Sequence, residues 1–174
     1  NSAGQRCSAL RLILVQEEIY DDMWEILTGA MKEMTLGTPD DFETEVGPII
    51  NKDAFKKLAD YISSFSDANK IFQSHEHVLE KNIISPCLIE LNSLDEIHEE
   101  QFGPILHIYK YKASALAESL KEINDKNFGL TLGVHSRIES KHDEISSLLS
   151  AGNAYINRDM VGAVVGVQPF GGEG

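Results

Sequence analysis

The chain has 174 residues and a formal net charge of -13, from 15 Lys and Arg against 28 Asp and Glu. This length suffices for one domain with a real core, and the negative charge repels phosphate backbones, so we expect no binding to nucleic acid. Hydrophobic residues make up 42% of the chain, as in soluble globular proteins, and no window approaches the ~18 consecutive apolar residues of a membrane span.

Hydrophobic periodicity predicts one strand and two helices in the first part of the chain. Residues 10–15 (LRLILV) are typical of a buried strand. Apolar residues then recur at helical spacing and predict an amphipathic helix that ends near Gly37, and a second helix is expected from residue 51 or 52. The first apolar stripe comprises Ile19, Met23, Ile26, Leu27, Ala30, Met31 and Met34, and the second comprises Phe55, Leu58, Ala59 and Ile62.

Strands and helices alternate in the remainder of the chain. Strands are expected at residues 70–73, 83–91, 105–111, 130–134 and 154–157, with Pro86 tolerated only at an edge or a bulge. Two further helices are marked by Leu116, Leu120 and Ile123, and by Ile138, Ile145, Leu148 and Leu149. This alternation predicts an α/β fold with an open, largely parallel sheet covered by helices, in which ligands gather at strand ends.

The two cysteines, Cys7 and Cys87, are too few for a disulfide framework. They therefore indicate a reducing, cytoplasmic location. The chain opens on Asn1 without a basic patch followed by an apolar run, so we expect no signal peptide, and the lack of a starting Met suggests a segment of something longer.

Cys7 is the first candidate for chemistry. It lies in residues 4–9 (GQRCSA), where small neighbours leave room for a substrate and Arg6 offers a positive charge that could favour the thiolate. The alternative from the residues alone is that Cys7 is a small buried hydrophobe.

A loop of small residues, 162–172 (GAVVGVQPFGG), is a second candidate, because small side chains allow backbone N–H groups to approach an anion. The alternative, which the residues alone favour, is a packed turn. Glu100 could offer a carboxylate to a ribose hydroxyl, or could belong to a solvated acidic loop with Glu99. His75 and His77 lack further ligands at convincing spacing, so no metal site is expected.

Three separated motifs then agree on a family. Residues 4–9 (GQRCSA), 100–104 (EQFGP) and 168–172 (QPFGG), in this order and at these separations, resemble the catalytic domain of the aldehyde dehydrogenase family. The resemblance extends over essentially the whole chain. Residues 157–172 and the Cys7–Ser8 pair most resemble the glutamate-semialdehyde (1-pyrroline-5-carboxylate) dehydrogenases, in particular the bifunctional proline-utilisation type.

The resemblance implies NAD-dependent oxidation of L-glutamate 5-semialdehyde to glutamate in proline catabolism, through a thiohemiacetal and a thioester on a cysteine. FAD is implied only for a separate proline dehydrogenase domain of such a parent. The implied roles are Cys7 as nucleophile, Ser8, Gly162 and Ala163 as anchors of the substrate carboxylate, Phe170 beside its aliphatic chain, Glu100 on the nicotinamide ribose and Phe102 against the cofactor.

The resemblance also implies that residues 1–174 are one catalytic domain fragment. In the family, the dinucleotide-binding domain precedes the cysteine and supplies the general base and the oxyanion asparagine, and an oligomerisation segment follows. We therefore expect the isolated fragment to be inactive, and the parent to be a homo-oligomer in which this domain meets the dinucleotide-binding domain. Two alternatives remain open: a dehydrogenase for another short semialdehyde, and a non-catalytic binding or assembly domain in which Cys7 is structural.

Overall fold

The computed structural model describes residues 2–160, 163, 166–168, 171 and 172, and their contacts fall into two units. The first unit contains the described residues up to Arg6 together with Arg11–Lys110, and the second contains Cys7–Leu10 and the described residues from Tyr111 onward. None of the helices in these ranges combines the length and the apolarity that crossing a bilayer requires.

The first unit is built on a four-stranded sheet in the order β1-β4-β3-β2. Strand β3 is parallel to β4, with Cys87 opposite Ile105, and antiparallel to β2, with Ile71 opposite Ile89. Strand β3 starts directly after Pro86, so the predicted strand is confirmed in its second half. In chain order the elements are β1 (Leu12–Gln16), α1 (Tyr20–Glu33), α2 (Lys52–Ser64), β2 (Ile71–Gln73), β3 (Cys87–Leu91) and β4 (Ile105–Tyr111).

The helices α1 and α2 cover opposite faces of this sheet. Ile108 of β4 packs in a core cluster with Tyr20 and Met31 of α1. The neighbouring His107 instead bonds Tyr61 of α2. Because successive side chains of a strand point to opposite faces, the two helices lie on the two sides of β4.

The apolar stripe predicted for α1 is only partly the buried face. Ile19 and Ile26 are 53% and 63% exposed. Tyr20 is buried, and Trp24 is one of the partly buried residues that pack against the core cluster. The helix itself is confirmed, but its inward face is rotated by about one position, and it ends at Glu33 instead of near Gly37.

The described part of the second unit holds a two-stranded parallel sheet with two helices. Its elements are α3 (Leu116–Asn124), β5 (Thr131–Val134), α4 (Glu139–Leu148) and β6 (Asn153–Ile156). The predicted core residues of α3 are buried, whereas α4 has no fully buried residue. The helices and the mostly parallel pairing confirm the predicted α/β class, with β2 as the antiparallel exception.

Candidate functional site

Cys7 is exposed in a turn between a short 3₁₀ segment (Ser2–Gly4) and β1. The second thiol, Cys87, lies in β3 with 0% of its surface exposed, and burial raises its pKa to about 12. Since the thiolate is the nucleophilic form, Cys87 is inert at neutral pH. The two thiols therefore differ: Cys7 is accessible to solvent, and Cys87 is buried in the core.

The residues that lead into Cys7, here named the pre-cysteine segment (residues 2–6), follow a tight path. Ser2, Ala3 and Gly4 have φ values of 52°, 47° and 68°, in the left-handed region. A Cβ placed on Gly4 would lie 2.1 Å from the carbonyl oxygen of Gly103. Position 4 must therefore be glycine for this close backbone approach, which brings the segment against residues 103 and 104.

Gln5 connects the pre-cysteine segment to residues 48 and 50 by hydrogen bonds. Its Nε2 donates to the carbonyls of Ser2 and Pro48, both at 3.1 Å, and its Oε1 accepts from the backbone N–H of Ile50 at 2.9 Å. Arg6 donates from Nε to the Ser2 hydroxyl at 3.2 Å. Activation of Cys7 by Arg6 stays a prediction.

Arg11 also binds the pre-cysteine segment through hydrogen bonds from its side chain. Its guanidinium donates to the carbonyl of Gly4 and, at 2.8 Å, to the carbonyl of Arg6. Its Nε forms an ion pair with Oε1 of Glu100 at 3.1 Å, and its Cζ lies 4.8 Å from the centre of the Phe102 ring. Arg11 thus brings together Glu100 and Phe102, the two residues predicted to bind the cofactor.

Glu100 and Phe102 are both accessible, with 33% of the Glu100 side chain and 46% of Phe102 exposed. Between them Gln101 is 3% exposed, and its Nε2 donates to Glu99 at 3.2 Å. Glu99 forms an exposed ion pair with Lys57, and that lysine lowers the pKa of the Glu99 carboxyl. The buried Gln101 fixes the segment, so the flanking side chains at 100 and 102 are presented at the surface.

A buried histidine lies beneath Arg11. His107 is 2% exposed, its backbone N–H and its Nδ1 both lie 2.9 Å from the carbonyl oxygen of Arg11, and its Nε2 lies 2.8 Å from the Tyr61 hydroxyl. A carbonyl only accepts, so Nδ1 carries the proton and Nε2 accepts from Tyr61. Burial lowers the pKa of His107 and raises the pKa of Tyr61 to about 12.

Two of the predicted substrate-binding residues, Ser8 and Ala163, are described, and both belong to the second unit. Ser8 follows Cys7 in the turn and is 8% exposed, and Ala163 is half-buried. Gly162 and Phe170 lie outside the described residues. Their assigned roles stay predictions.

The glycines at the end of the small-residue loop are packed closely. A Cβ on Gly152 would lie 1.8 Å from the carbonyl oxygen of Gly171, and one on Gly172 would lie 2.9 Å from that of Gly129. These approaches support the packed-turn interpretation for positions 171 and 172. They leave the anion-binding interpretation of the preceding residues as a prediction.

Asn157, the last residue of a predicted strand and the first of the run 157–172, lies in the second unit. It has a φ of 51°. Its Oδ1 accepts from the N–H of Ser136, and its Nδ2 donates to the carbonyl of Ser136, both at 2.9 Å. Asn157 therefore ties the chain leaving β6 to the chain leaving β5.

The two histidines considered for a metal have other partners. The Nδ1 of His77 accepts from the N–H of Ser85 at 3.1 Å, and the Nδ1 of His75 lies 3.0 Å from the Ser74 hydroxyl. Burial lowers the pKa of His77. In the described ranges, no group of three or more potential metal ligands comes together.

Sequence reasoning missed Gln5, Arg11 and His107. Arg11 was included in an apolar strand run, although a single charge inside such a run is a signal that the side chain has a specific partner. His107 carried a weaker signal, as the polar residue of the strand at 105–111. No pattern pointed to Gln5 as the contact to Pro48 and Ile50.

Three comparisons with known proteins agree. The aldehyde dehydrogenase family model matches residues 1–174. The bifunctional protein PutA of Klebsiella aerogenes is 42% identical over 182 residues, which cover 100% of this chain and 14% of PutA. A 1-pyrroline-5-carboxylate dehydrogenase of Staphylococcus aureus is 34% identical, over 98% of this chain and 33% of the relative.

Solved structures give the same result. A proline utilization A (PutA) variant of Bradyrhizobium japonicum superposes with a TM-score of 0.93 at 44% identity, over 100% of this chain and 18% of that protein. The chain therefore spans less than a fifth of the PutA proteins it matches.

Proposed function

Because the chain belongs to the aldehyde dehydrogenase family, we propose that it is the cysteine-bearing catalytic domain of an NAD-dependent enzyme that oxidises L-glutamate 5-semialdehyde to glutamate in proline catabolism. The observation that carries the proposal is the similarity over nearly the whole chain to PutA, at 42% identity, and to 1-pyrroline-5-carboxylate dehydrogenase, at 34%. Residues 1–174 would form this domain within a longer, oligomeric, cytoplasmic protein.

The exposure of Cys7 supports its role as nucleophile, since a structural cysteine would pack in a core as Cys87 does. In the proposed reaction, the Cys7 thiolate attacks the aldehyde carbon, a C–S bond forms, and the carbonyl oxygen becomes the oxyanion of a thiohemiacetal. NAD, when bound, would supply the acceptor for the hydride that leaves this carbon as the thiohemiacetal is oxidised. Cys7 then carries the acyl group as a thioester, until water hydrolyses it and glutamate leaves.

The residues at 100 and 102 fit a nicotinamide nucleotide. The partly exposed Glu100 carboxylate can accept hydrogen bonds from ribose hydroxyls, and the exposed Phe102 ring offers an apolar surface to the cofactor. Arg11 holds both side chains in place. If the parent is bifunctional like PutA, FAD would bind in its separate proline dehydrogenase domain.

We assign the substrate carboxylate to Ser8, Gly162 and Ala163, and the aliphatic chain of the substrate to Phe170. A formal net charge of -13 opposes the approach of an anionic substrate. Local donors therefore have to compensate for this field, and a hydroxyl with backbone N–H groups from small residues is suited to that task.

The Ser8→Ala variant tests this assignment in the full-length protein. We expect KM for L-glutamate 5-semialdehyde to rise about 5- to 150-fold, as expected for a lost contact of about 1 to 3 kcal/mol. KM for an uncharged aldehyde such as propanal should change little. Ser146→Ala, at an exposed position of α4, is the control, and an equal change for both aldehydes would contradict the anchor.

The function itself is tested by NAD reduction in the full-length protein with and without Cys7→Ala. We expect turnover of L-glutamate 5-semialdehyde that the variant abolishes, and no turnover by residues 1–174 alone, because the family's general base precedes the cysteine. Faster oxidation of another short semialdehyde would favour the alternative substrate. If the full-length protein oxidised none of the aldehydes tested, a binding or assembly domain would be favoured.

A further inference from the structure

Arg11 stands out because its side chain contacts groups from two separate stretches of the first unit, residues 4–6 and residues 100–102. Its guanidinium donates to the carbonyls of Gly4 and Arg6 in the pre-cysteine segment, pairs with Glu100 and lies over Phe102. The side chain is 17% exposed. An isolated exposed ion pair contributes little to stability, whereas the Arg11 guanidinium combines its ion pair with two hydrogen bonds to carbonyls and a ring contact.

The geometry of the guanidinium makes these contacts mutually dependent. Nε, Nη1 and Nη2 each donate to a different partner. Because the group is planar and its N–H directions are fixed, the Glu100 carboxylate and the two carbonyls cannot move independently without losing a bond. A lysine ammonium could pair with Glu100, but it lacks the fork that reaches both carbonyls.

The main chain of Arg11 is held as well. Its carbonyl accepts from both the N–H and the Nδ1 of the buried His107, whose Nε2 accepts from Tyr61. The backbone that carries the guanidinium is therefore fixed against β4, one residue before β1 begins. Arg6, whose carbonyl is one of its partners, is the residue directly before Cys7.

We propose that Arg11 is a positioning residue that couples the carboxylate at Glu100 to the backbone that leads into Cys7. The inference rests on the proposed function, in which Glu100 binds the ribose and Cys7 attacks the substrate. Binding of the cofactor at Glu100 and the placement of the peptide before the nucleophile thus depend on one side chain.

The test uses Arg11→Met and Arg11→Lys in the full-length protein, with two readouts. Hydrogen exchange of the peptide covering residues 2–10, measured without cofactor or substrate, reports on the pre-cysteine segment, and calorimetry with NAD reports on Glu100. We expect Arg11→Met to speed the exchange at least threefold and to weaken NAD binding at least tenfold. Arg11→Lys should speed the exchange equally but keep NAD binding within threefold of wild type.

Two controls complete the design. Arg137→Met, at an exposed position, should change neither readout. Glu100→Gln should weaken NAD binding while leaving exchange of residues 2–10 within threefold of wild type, because the bonds from Arg11 to the carbonyls of Gly4 and Arg6 remain.

The proposal would be overturned if residues 2–10 exchanged at the wild-type rate in both Arg11 variants. It would also be overturned if both variants lost NAD affinity equally while the exchange rate of residues 2–10 stayed unchanged. If Arg11→Met does not fold, Arg11→Lys decides alone, since unchanged exchange in that variant is the overturning result. Failure of the wild-type protein to bind NAD would overturn the proposed function and the coupling with it. The exchange comparison would then show whether Arg11 still anchors the pre-cysteine segment.

Discussion

At the scale of single residues, Gly4 has two separate reasons to be glycine: its φ of 68°, and the 2.1 Å that would separate a Cβ at this position from the Gly103 carbonyl oxygen. We expect Gly4→Ala to lower the free energy of unfolding by about 2 kcal/mol or more, because strain at a left-handed residue adds to a backbone clash. Urea unfolding followed by circular dichroism measures the change.

Gly29→Ala is the matched control for this substitution. Gly29 lies in the interior of α1, and a Cβ there has nothing within 4 Å. Alanine should therefore stabilise the helix, by up to about 1 kcal/mol. Equal effects of the two substitutions would contradict the close approach at Gly4.

His107 predicts a dependence of stability on pH. Burial lowers its pKa below the unfolded value of 6.5, so between the two pKa values the unfolded chain binds more protons than the folded one. The free energy of unfolding should therefore fall as the pH drops below about 6.5, until the folded-state pKa is reached. Urea unfolding at pH 7.5 and 5.5 measures this loss.

His107→Asn is the comparison for this prediction. His77 has a pKa lowered by burial as well, and it contributes its own pH dependence in both proteins. The loss between the two pH values should therefore shrink in His107→Asn without disappearing. An identical loss in wild type and variant would show that His107 does not titrate with folding.

At the residue scale, sequence prediction works from local patterns. Cys7 stands in a run with a distinctive pattern, and the structure leaves its thiol exposed, while its role as nucleophile stays a prediction. The partner of Arg11, Glu100, is 89 positions away, and no periodicity relates the two. The two residues come together only in the folded chain, so their pairing cannot be predicted from a local sequence pattern.

At the scale of elements, helix α2 begins with a side-chain cap. The Asn51 Oδ1 accepts from the N–H of Ala54 at 2.8 Å. We expect Asn51→Ala to destabilise the protein by about 1 kcal/mol, because an N–H of the first turn loses its partner. Asn51→Asp, which keeps the acceptor, should stay within a few tenths of a kcal/mol of wild type, and an equal loss in both variants would contradict the cap.

Helix α1 shows why an element can be predicted while its buried face is not. Two stripes share the helical spacing, one through Ile19 and Ile26 and one through Tyr20 and Trp24. The second stripe is the inward one, and both of its rings also lie near the cation of Lys70, at 5.6 Å and 4.0 Å. Periodicity alone does not choose between stripes that differ by one position, since the choice depends on partners elsewhere in the chain.

At the scale of the whole molecule, the different exposure of the two cysteines predicts the outcome of a thiol titration. Cys7 is exposed and Cys87 is fully buried. The folded chain should react with one equivalent of an aromatic disulfide reagent quickly, and with the second only after addition of denaturant. Cys7→Ala removes the fast equivalent, whereas two fast equivalents in the native wild type would contradict the buried position of Cys87.

The α/β class was predictable because strand and helix signals alternate along the chain. The antiparallel direction of β2 was missed, although a signal existed: no helix was expected between residues 73 and 83, and parallel neighbours need a long crossover, usually a helix. The structure has only the short 3₁₀ segment Leu79–Lys81 in that connection. An antiparallel pairing of β2 with β3 is the arrangement that such a connection allows.

Strand β2 is also the last strand of the described four-stranded sheet, and it spans only Ile71–Gln73. An outer strand of ordinary length offers a row of unpaired N–H and C=O groups on which another molecule can add a strand. Such a short edge strand, with Lys70 directly before it, offers few backbone N–H and C=O groups to an incoming strand. This side of the sheet is thereby protected against the intermolecular strand addition that begins aggregation.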